Sequence, residues 1–181
     1  MVTDPFEILV DIERKCRAHA KPLPQQKAVG KVWQGIGFVA SDMNFVSPLD
    51  EIIEVIPVPV LTNMPSSVEW FRGVTNLRGG LLPVTDLEGF VLGTPSTLSP
   101  SSRILVVAFE NTGVGFLVSE VLGVERFLQS NIKKGAGEKP TKFEEYIQGI
   151  VSEDTESWNI MSLKALSQTA QFYHVIKGMG A

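Results

Sequence analysis

Short runs in which apolar and polar residues alternate recur along the chain, with turn-forming residues between them. The clearest run covers residues 33–40, where Ile36, Phe38 and Ala40 alternate with other residues, and a continuous apolar run covers 104–109. Alternation with a period of two is typical of a strand with one buried face, and a short continuous run is typical of a fully buried strand. The pattern predicts strands at 33–40, 45–56 with an interruption near Pro48, 103–109, 114–118, 121–127, 146–151 and 158–161, and a hairpin within 71–87.

Two segments near the ends of the chain have helical spacing instead. The first covers residues 6–19, with Asp4 as its cap and Glu7 three positions later, as in a capping box. We favour packing of this helix on its own domain over a role as a partner-binding arm. The second begins after Ser162 and ends near Gly178, since glycine is a common helix stop. Its predicted apolar stripe consists of Leu163, Leu166, Ala170 and Tyr173.

The two halves of the chain resemble each other. The segment Glu51–Val55 follows two predicted strands and a turn, and Glu120–Val124 does the same later in the chain. The sequence around Gly73 is echoed around Gly149, again at an offset of about 70 residues. A small sheet that closes on itself has no exposed edges. The repeat therefore predicts two similar small β-barrels.

Composition narrows the range of functions. The 181 residues are 44% hydrophobic and 20% charged, with 16 basic and 20 acidic side chains and a net charge of -4. Nucleic-acid-binding proteins usually present a basic face, which this balance does not favour. The start of the chain does not have the basic and apolar blocks of a signal peptide, and one cysteine cannot form an intrachain disulfide, so a cytoplasmic location is expected.

The stretch from Phe71 to Leu87 is the most distinctive part of the sequence. Apolar residues lie on both sides of Gly79-Gly80, which we interpret as the turn of a hairpin. Arg78 lies beside these glycines. A charge at a turn is most often simply solvated, but a guanidinium also offers a rigid fork of donors to a partner's carboxylate or carbonyl.

The same stretch resembles the central signature of the CheW family, the adaptors that couple chemoreceptors to the chemotaxis histidine kinase. The resemblance is carried by Gly73-Val74, by Asn76-Leu77-Arg78-Gly79, and by Pro83-Val84 with Asp86-Leu87. It covers roughly residues 33–166. It implies a mainly β fold of two intertwined five-stranded SH3-like barrels, here with an N-terminal and a C-terminal helix. The expected boundaries are 1–30 for the helix and linker, 31–176 for the CheW-like domain and 177–181 for a tail.

The resemblance also implies partners and their contact residues. The receptor tip binds between the barrels in such proteins, which implies receptor contacts at Ile52, Glu54, Val55, Asn76, Arg78 and Gly79. The regulatory domain of a CheA-type kinase packs barrel to barrel on the adaptor. Gly115, Phe116 and Val121 are the implied kinase contacts, although these apolar residues suit a core equally well. The protein would then be cytoplasmic and recruited to membrane-associated receptor arrays.

Other features favour one branch of the family and weigh against catalysis. The N-terminal helix, together with Gly80 and Thr85 where the family often has apolar residues, resembles the adaptors of type IV pilus chemosensory systems more than the flagellar adaptor. His19 and His174 have no histidine near them in the sequence, so no metal, cofactor or catalytic set is predicted. A flagellar adaptor, a nucleic-acid-binding β-barrel and a small hydrolase are the alternatives.

Overall fold

Strands dominate the part of the chain that the structure describes. A computed structural model describes residues 6, 10, 30–65, 68–109, 112–135, 143–153 and 156–178. The strands are β1 Val32–Ala40, β2 Met43–Pro48, β3 Ile52–Pro57, β4 Phe71–Leu77, β5 Gly80–Asp86, β6 Arg103–Phe109, β7 Thr112–Val118, β8 Glu120–Leu128, β9 Ile132–Lys134, β10 Ile147–Glu153 and β11 Glu156–Met161. The helices between residues 87 and 178 are α1 Leu87–Leu92, α2 Leu163–Ser167 and α3 Ala170–Gly178.

The strands form two sheets, and the strands of the second sheet lie in sequence between two groups of strands of the first. The first sheet has the order β8-β1-β2-β11-β10-β9, and the second has the order β3-β6-β7-β5-β4. The chain therefore begins in the first sheet, builds the whole second sheet and returns. The predicted mainly β fold of two intertwined small units is confirmed, and the short strand β9 adds a sixth member to the first sheet.

The predicted internal repeat appears as an exchange of strands between the two sheets. After the β1–β2 hairpin, β3 crosses to pair with β6, and after the β6–β7 hairpin, β8 crosses back to pair with β1. The later hairpins occupy equivalent places, because β5 runs parallel to β7 and β11 runs parallel to β2. Each half of the sequence thus completes the sheet of the other, so neither sheet is complete without both halves.

The repeated glycines Gly73 and Gly149 have a common structural reason. A Cβ atom on Gly73 would lie 2.3 Å from the carbonyl oxygen of Thr62, and one on Gly149 would lie 2.7 Å from that of Lys133. Each glycine therefore lets a neighbouring backbone approach its strand. In the first half this approach is the isolated bridge between Thr62 and Val74, and in the second half it is the pairing of β9 with β10.

The main core is rich in aromatic rings and takes members from both halves of the chain. Phe38 and Phe45 stack at 5.6 Å between ring centroids, and Phe172 of α3 lies 5.7 Å from Trp70 and 5.2 Å from Phe116. Phe172 is fully buried. Helix α3 therefore inserts this ring between Trp70, which directly precedes β4, and Phe116 of β7, and it ties the end of the chain to the second sheet.

The C-terminal helix differs from its prediction. Ser162 caps it as expected, since its hydroxyl accepts a hydrogen bond from the Ala165 N–H at 2.9 Å. The helix then ends at Ser167, because the N–H groups of Gln168 and Thr169 bond three residues back instead of four. A second helix restarts at Ala170. Leu163 and Leu166 of the predicted stripe are buried before the break, and Tyr173 is half-buried against the core. The break changes the helical phase, so Ala170 is exposed and Phe172, which was not predicted, is the fully buried residue of the second helix.

The predicted N-terminal helix is described at two positions. Phe6 and Val10 have helical backbone and exposed side chains. The rest of that prediction, including Cys16 and His19, lies outside the described residues. Among the described helices, none has the length and apolar character that crossing a bilayer requires.

A candidate partner-binding groove

The predicted hairpin forms from β4 and β5, but its turn lies one residue earlier than expected. Arg78 and Gly79 have φ angles of 52° and 83°, so these two residues make the turn and Gly80 begins β5. The interpretation of Gly79-Gly80 as the turn was therefore wrong by one position. Positive φ at both central positions is the type I′ geometry that matches strand twist in a two-residue hairpin. Arg78 thus holds a backbone conformation that glycine or asparagine adopts more easily.

Asn76 supports this turn from within the hairpin. Its side-chain oxygen accepts a hydrogen bond from the Gly79 N–H at 3.0 Å. This bond uses the acceptor of the amide and leaves its two donors available. Asn76 and Gly79 are both exposed, as a surface contact requires.

Arg78 forms an ion pair with Glu54 of β3 across the surface. The guanidinium Nη2 lies 2.8 Å from Glu54 Oε2, and the side chains are 75% and 25% exposed. Both are among the residues that the resemblance implies as receptor contacts, and the structure brings them together. An exposed pair of this kind contributes only about 0–1 kcal/mol. A partner carboxylate could therefore replace Glu54 at little energetic cost.

Exposed apolar side chains flank the ion pair. Ile53 of β3 and Leu81 of β5 are both more than half exposed and line, with Arg78 and Glu54, an open groove of about 270 Å³. Neither Ile53 nor Leu81 was predicted as a site residue. The alternation of β3 does signal Ile53, because it places this residue opposite to the half-buried Ile52 and Glu54. A cation between apolar flanks suits a protein partner better than a small polar substrate.

The other predicted receptor contacts on β3 divide between its two faces. Val55 is exposed, whereas Ile52 is half-buried and packs against the main core. Strand β3 is also an edge of the second sheet, so its outer side has no neighbouring strand among the described residues. Exposed apolar residues on a sheet edge are typical of an interaction surface.

The predicted kinase contacts require a correction. Phe116 is fully buried in the main core, and Gly115 is buried beside it in β7, an interior strand of the second sheet. A Cβ atom on Gly115 would lie 2.5 Å from Ile104 Cγ2, so this glycine serves close packing. Neither residue presents a side chain to a partner. Val121 is half-buried against the main core, and its kinase contact stays a prediction.

A buried charge network fixes the base of the hairpin, and the sequence analysis missed it. Asp86 has a fully buried side chain, and its Oδ2 lies 2.6 Å from the Nη2 of Arg72. The same oxygen accepts hydrogen bonds from the backbone N–H and hydroxyl of Ser96, and Oδ1 caps α1 through the Gly89 N–H. The pairing with Arg72 has no local sequence signal. The network holds the strands that present Arg78.

Two observations on the described residues bear on metal binding and acid–base chemistry. No group of three or more His, Cys, Asp or Glu side chains there could hold a metal ion. A second groove, of about 160 Å³, includes Tyr146 and Ser162. Burial, and then the charge of Glu145, raise the pKa of Tyr146 above its ordinary value of 10. Its phenol therefore stays protonated at neutral pH and is not primed as a base.

Comparison with known proteins identifies a family match and a relative of similar length. Residues 34–171 match the model of the CheW-like domain. The chain is 35% identical over 174 residues to the protein PilI of Pseudomonas aeruginosa, which covers 96% of this chain and 97% of PilI.

More distant relatives cover less of the chain. FrzA of Myxococcus xanthus is 28% identical over 138 residues, or 74% of this chain and 84% of FrzA. The chemotaxis protein CheW of Thermotoga maritima is 31% identical over 102 residues, or 56% of this chain and 67% of that protein. The crystal structure of the scaffolding protein TtCheW from Thermoanaerobacter tengcongensis superposes with a TM-score of 0.68 at 23% identity, covering 77% of this chain and 95% of that one.

Proposed function

Since this chain belongs to the family of adaptors with a CheW-like domain, we propose that it couples a chemoreceptor to a CheA-type histidine kinase. In this proposal the cytoplasmic tip of the receptor occupies the groove at Arg78, and the kinase regulatory domain packs elsewhere on the double sheet. The protein binds both partners and transforms neither. Binding two partners at once raises the effective concentration of each for the other, so individually modest contacts give a stable assembly. The protein would work in the cytoplasm, recruited to membrane-associated receptor arrays.

The observation that carries the receptor site is the exposed, exchangeable ion pair between apolar flanks. Arg78 projects from a turn that asparagine or glycine would form with less strain, and three quarters of its side chain is exposed. A non-glycine residue that holds a strained backbone conformation and an exposed side chain costs stability, so we expect it to have a role in binding. Ile53 and Leu81 add the apolar area that a protein contact needs.

The likeness to PilI supports a type IV pilus pathway, and so twitching motility, over a flagellar one. The family model begins at residue 34, whereas the match to PilI covers 174 residues and therefore includes most of the segment before it. The match to the Thermotoga maritima CheW covers only 102 residues. The N-terminal segment is thus shared with the pilus-system relative.

Charge reversal at the turn tests the receptor site. The full chain carrying Arg78→Glu should bind an immobilised receptor-tip fragment from the same organism at least about 30-fold more weakly, as expected for loss of a central arginine contact. Lys134→Glu is the matched control, because it makes the same change in charge at an exposed position on β9 in the other sheet. It should bind like the unchanged protein. Equal binding by both variants would exclude Arg78 as the receptor contact.

Complementation in cells tests the pathway. The gene should restore twitching to a Pseudomonas aeruginosa strain without its own PilI, and the Arg78→Glu form should not. Restoration of flagellar swimming in a strain without CheW, with no effect on twitching, would favour the flagellar alternative instead.

A further inference from the structure

Strand β3 contains a bulge at a residue that lines the groove at Arg78. Ile52 and Glu54 pair with successive residues of β6, so Ile53 between them has no partner in the ladder. A bulge of this kind bends a strand and changes the direction of its side chains. The chain on either side of the bulge therefore decides where Ile53 and Glu54 lie in the groove. On one side the ladder with β6 continues to Pro57, and on the other side the strand ends at Ile52.

A carboxylate fastens the chain immediately before this bulge. Glu51 directly precedes β3, and its Oε1 accepts a hydrogen bond of 2.7 Å from the Ser162 hydroxyl, while its Oε2 accepts one of 3.1 Å from the Lys164 N–H. A longer contact of 3.5 Å joins Oε2 to the hydroxyl of the buried Ser47 in β2. Ser162 and Lys164 lie at the start of α2, after the last strand of the first sheet. Glu51 therefore ties the start of β3, a strand of the second sheet, to the first sheet.

The other strand that crosses between the sheets, β8, begins beside a similar link. Glu88 of α1 accepts hydrogen bonds at Oε1 from the Ser119 hydroxyl at 2.6 Å and from the Ser41 N–H at 2.9 Å. Ser119 directly precedes β8, and the ladder between β8 and β1 skips Leu122, so this strand also has a bulge near its start. Both crossing strands therefore begin at a carboxylate link between distant segments and continue into a bulge, which indicates that the link and the bulge belong together.

We propose that Glu51 is a positioning residue of the groove at Arg78. Its hydrogen bonds hold the start of β3 against α2, so that the bulge presents Ile53 and Glu54 to the groove in one arrangement. Strand β3 is an edge strand whose neighbour among the described strands is β6, so no second ladder there holds this point. Without the carboxylate, pairing at Ile52 alone holds the segment before the bulge, and the bulge can shift along β6. The expected effect on binding rests on the proposed receptor site, whereas the effect on β3 does not.

Amide hydrogen exchange tests the positioning without a partner. In the full chain, Glu51→Ala should accelerate exchange of the amides of residues 52–54 about tenfold, because this segment then opens locally more often. Glu88→Ala is the matched control, because it removes the similar link at β8. It should leave residues 52–54 unchanged and accelerate exchange in residues 120–122 instead. Equal exchange in β6 and β7 of all variants shows that the fold is intact. Exchange of residues 52–54 that is the same in Glu51→Ala and the unchanged protein would overturn the proposal.

Binding to the immobilised receptor-tip fragment tests the consequence for the groove. Glu51→Ala should bind about tenfold more weakly, which corresponds to about 1.4 kcal/mol, while Glu88→Ala should bind like the unchanged protein. Glu51→Gln keeps one acceptor oxygen, so its affinity should lie between those of Glu51→Ala and the unchanged protein. If Glu51 acts through the bulge, Glu51→Ala should cost less affinity in a chain that already carries Ile53→Ala, because the two residues then share one effect.

The outcomes separate this inference from the proposed function. Equal affinities of Glu51→Ala and Glu88→Ala for the fragment would overturn the positioning role, and so would a fully additive loss beside Ile53→Ala. Failure of the unchanged protein to bind the fragment would refute the proposed receptor site instead. The exchange of residues 52–54 would then decide the inference by itself: acceleration in Glu51→Ala but not in Glu88→Ala would support it, and any other pattern would overturn it.

Discussion

Replacing Arg78 with asparagine separates the contribution of this residue to the stability of the fold from its contribution to partner binding. Arg78 is the first central residue of a type I′ turn and has φ of 52°. Asparagine followed by Gly79 is a preferred sequence for such a turn, because asparagine adopts left-handed φ more readily than arginine. The substitution should therefore leave the hairpin at least as stable, while it removes the guanidinium from the groove.

The expected size of the stability change follows from two opposing contributions. A left-handed conformation costs an ordinary residue about 1–2 kcal/mol, of which asparagine recovers about 1 kcal/mol. The lost pair with Glu54 contributes about 0.5 kcal/mol, the middle of the range for an exposed pair, since 75% of the Arg78 side chain is exposed. The net gain is about 0.5 kcal/mol, which raises the melting temperature of a chain of this size by about 1–2 °C.

Two measurements on the same variant check this reasoning. Thermal unfolding should show equal or higher stability, and binding to the receptor-tip fragment should fall at least about 30-fold. Arg78→Lys keeps the positive charge but not the planar fork of donors. Its affinity for the receptor-tip fragment should lie between those of the unchanged protein and Arg78→Asn. The reasoning is refuted if Arg78→Asn unfolds more easily by about 1 kcal/mol or more and still binds, because Arg78 would then be structural.

Three further substitutions test the structure that supports the groove, each by the urea midpoint of unfolding. Phe172→Ala should destabilise the protein by about 3–5 kcal/mol, because the ring is fully buried among aromatic partners; a loss below about 1 kcal/mol would show that α3 does not dock. Asp86→Asn should cost about 3 kcal/mol, because it leaves the guanidinium of Arg72 without its buried charge partner, and an unchanged midpoint would contradict that role. Thr85→Val should stabilise by about 1 kcal/mol, since the buried hydroxyl has no hydrogen-bond partner among the described residues; destabilisation would mean that the hydroxyl is satisfied.

Local patterns in the sequence predicted the features whose causes are local. Alternation placed most strands, and Ser162 marked the start of the C-terminal helix, because a cap depends on a side chain within three residues of the helix start. The repeat between the halves was also visible. The exchange of β3 and β8 between sheets was not, since both strands pair with segments far away in the chain.

The features that sequence reasoning missed depend on tertiary contacts or on one-residue shifts. Asp86 meets Arg72 only because β4 and β5 pair in the register observed. Phe172 became a core residue because the helix breaks at Gln168 and restarts in a different phase. Phe116 was assigned to a contact surface because the sequence of a strand does not show which of its faces the rest of the protein covers.

Part of the candidate site was predictable and part required the structure. The family resemblance implied Arg78 and Glu54 as separate contacts, and the structure shows them as an ion pair. Ile53 was signalled by the alternation of β3 but was not selected. Leu81 could not be assigned from the sequence, because its exposure depends on where the turn begins.

Co-sedimentation of three components tests the central claim most directly. Receptor-tip fragments are sedimented with the kinase while the concentration of this chain is increased from zero. The proposed bridging predicts that kinase enters the pellet only when the chain is present, and that it leaves again when excess chain saturates both partners separately. Kinase that sediments equally with and without the chain, or a chain that binds either partner but never both together, would contradict the adaptor function.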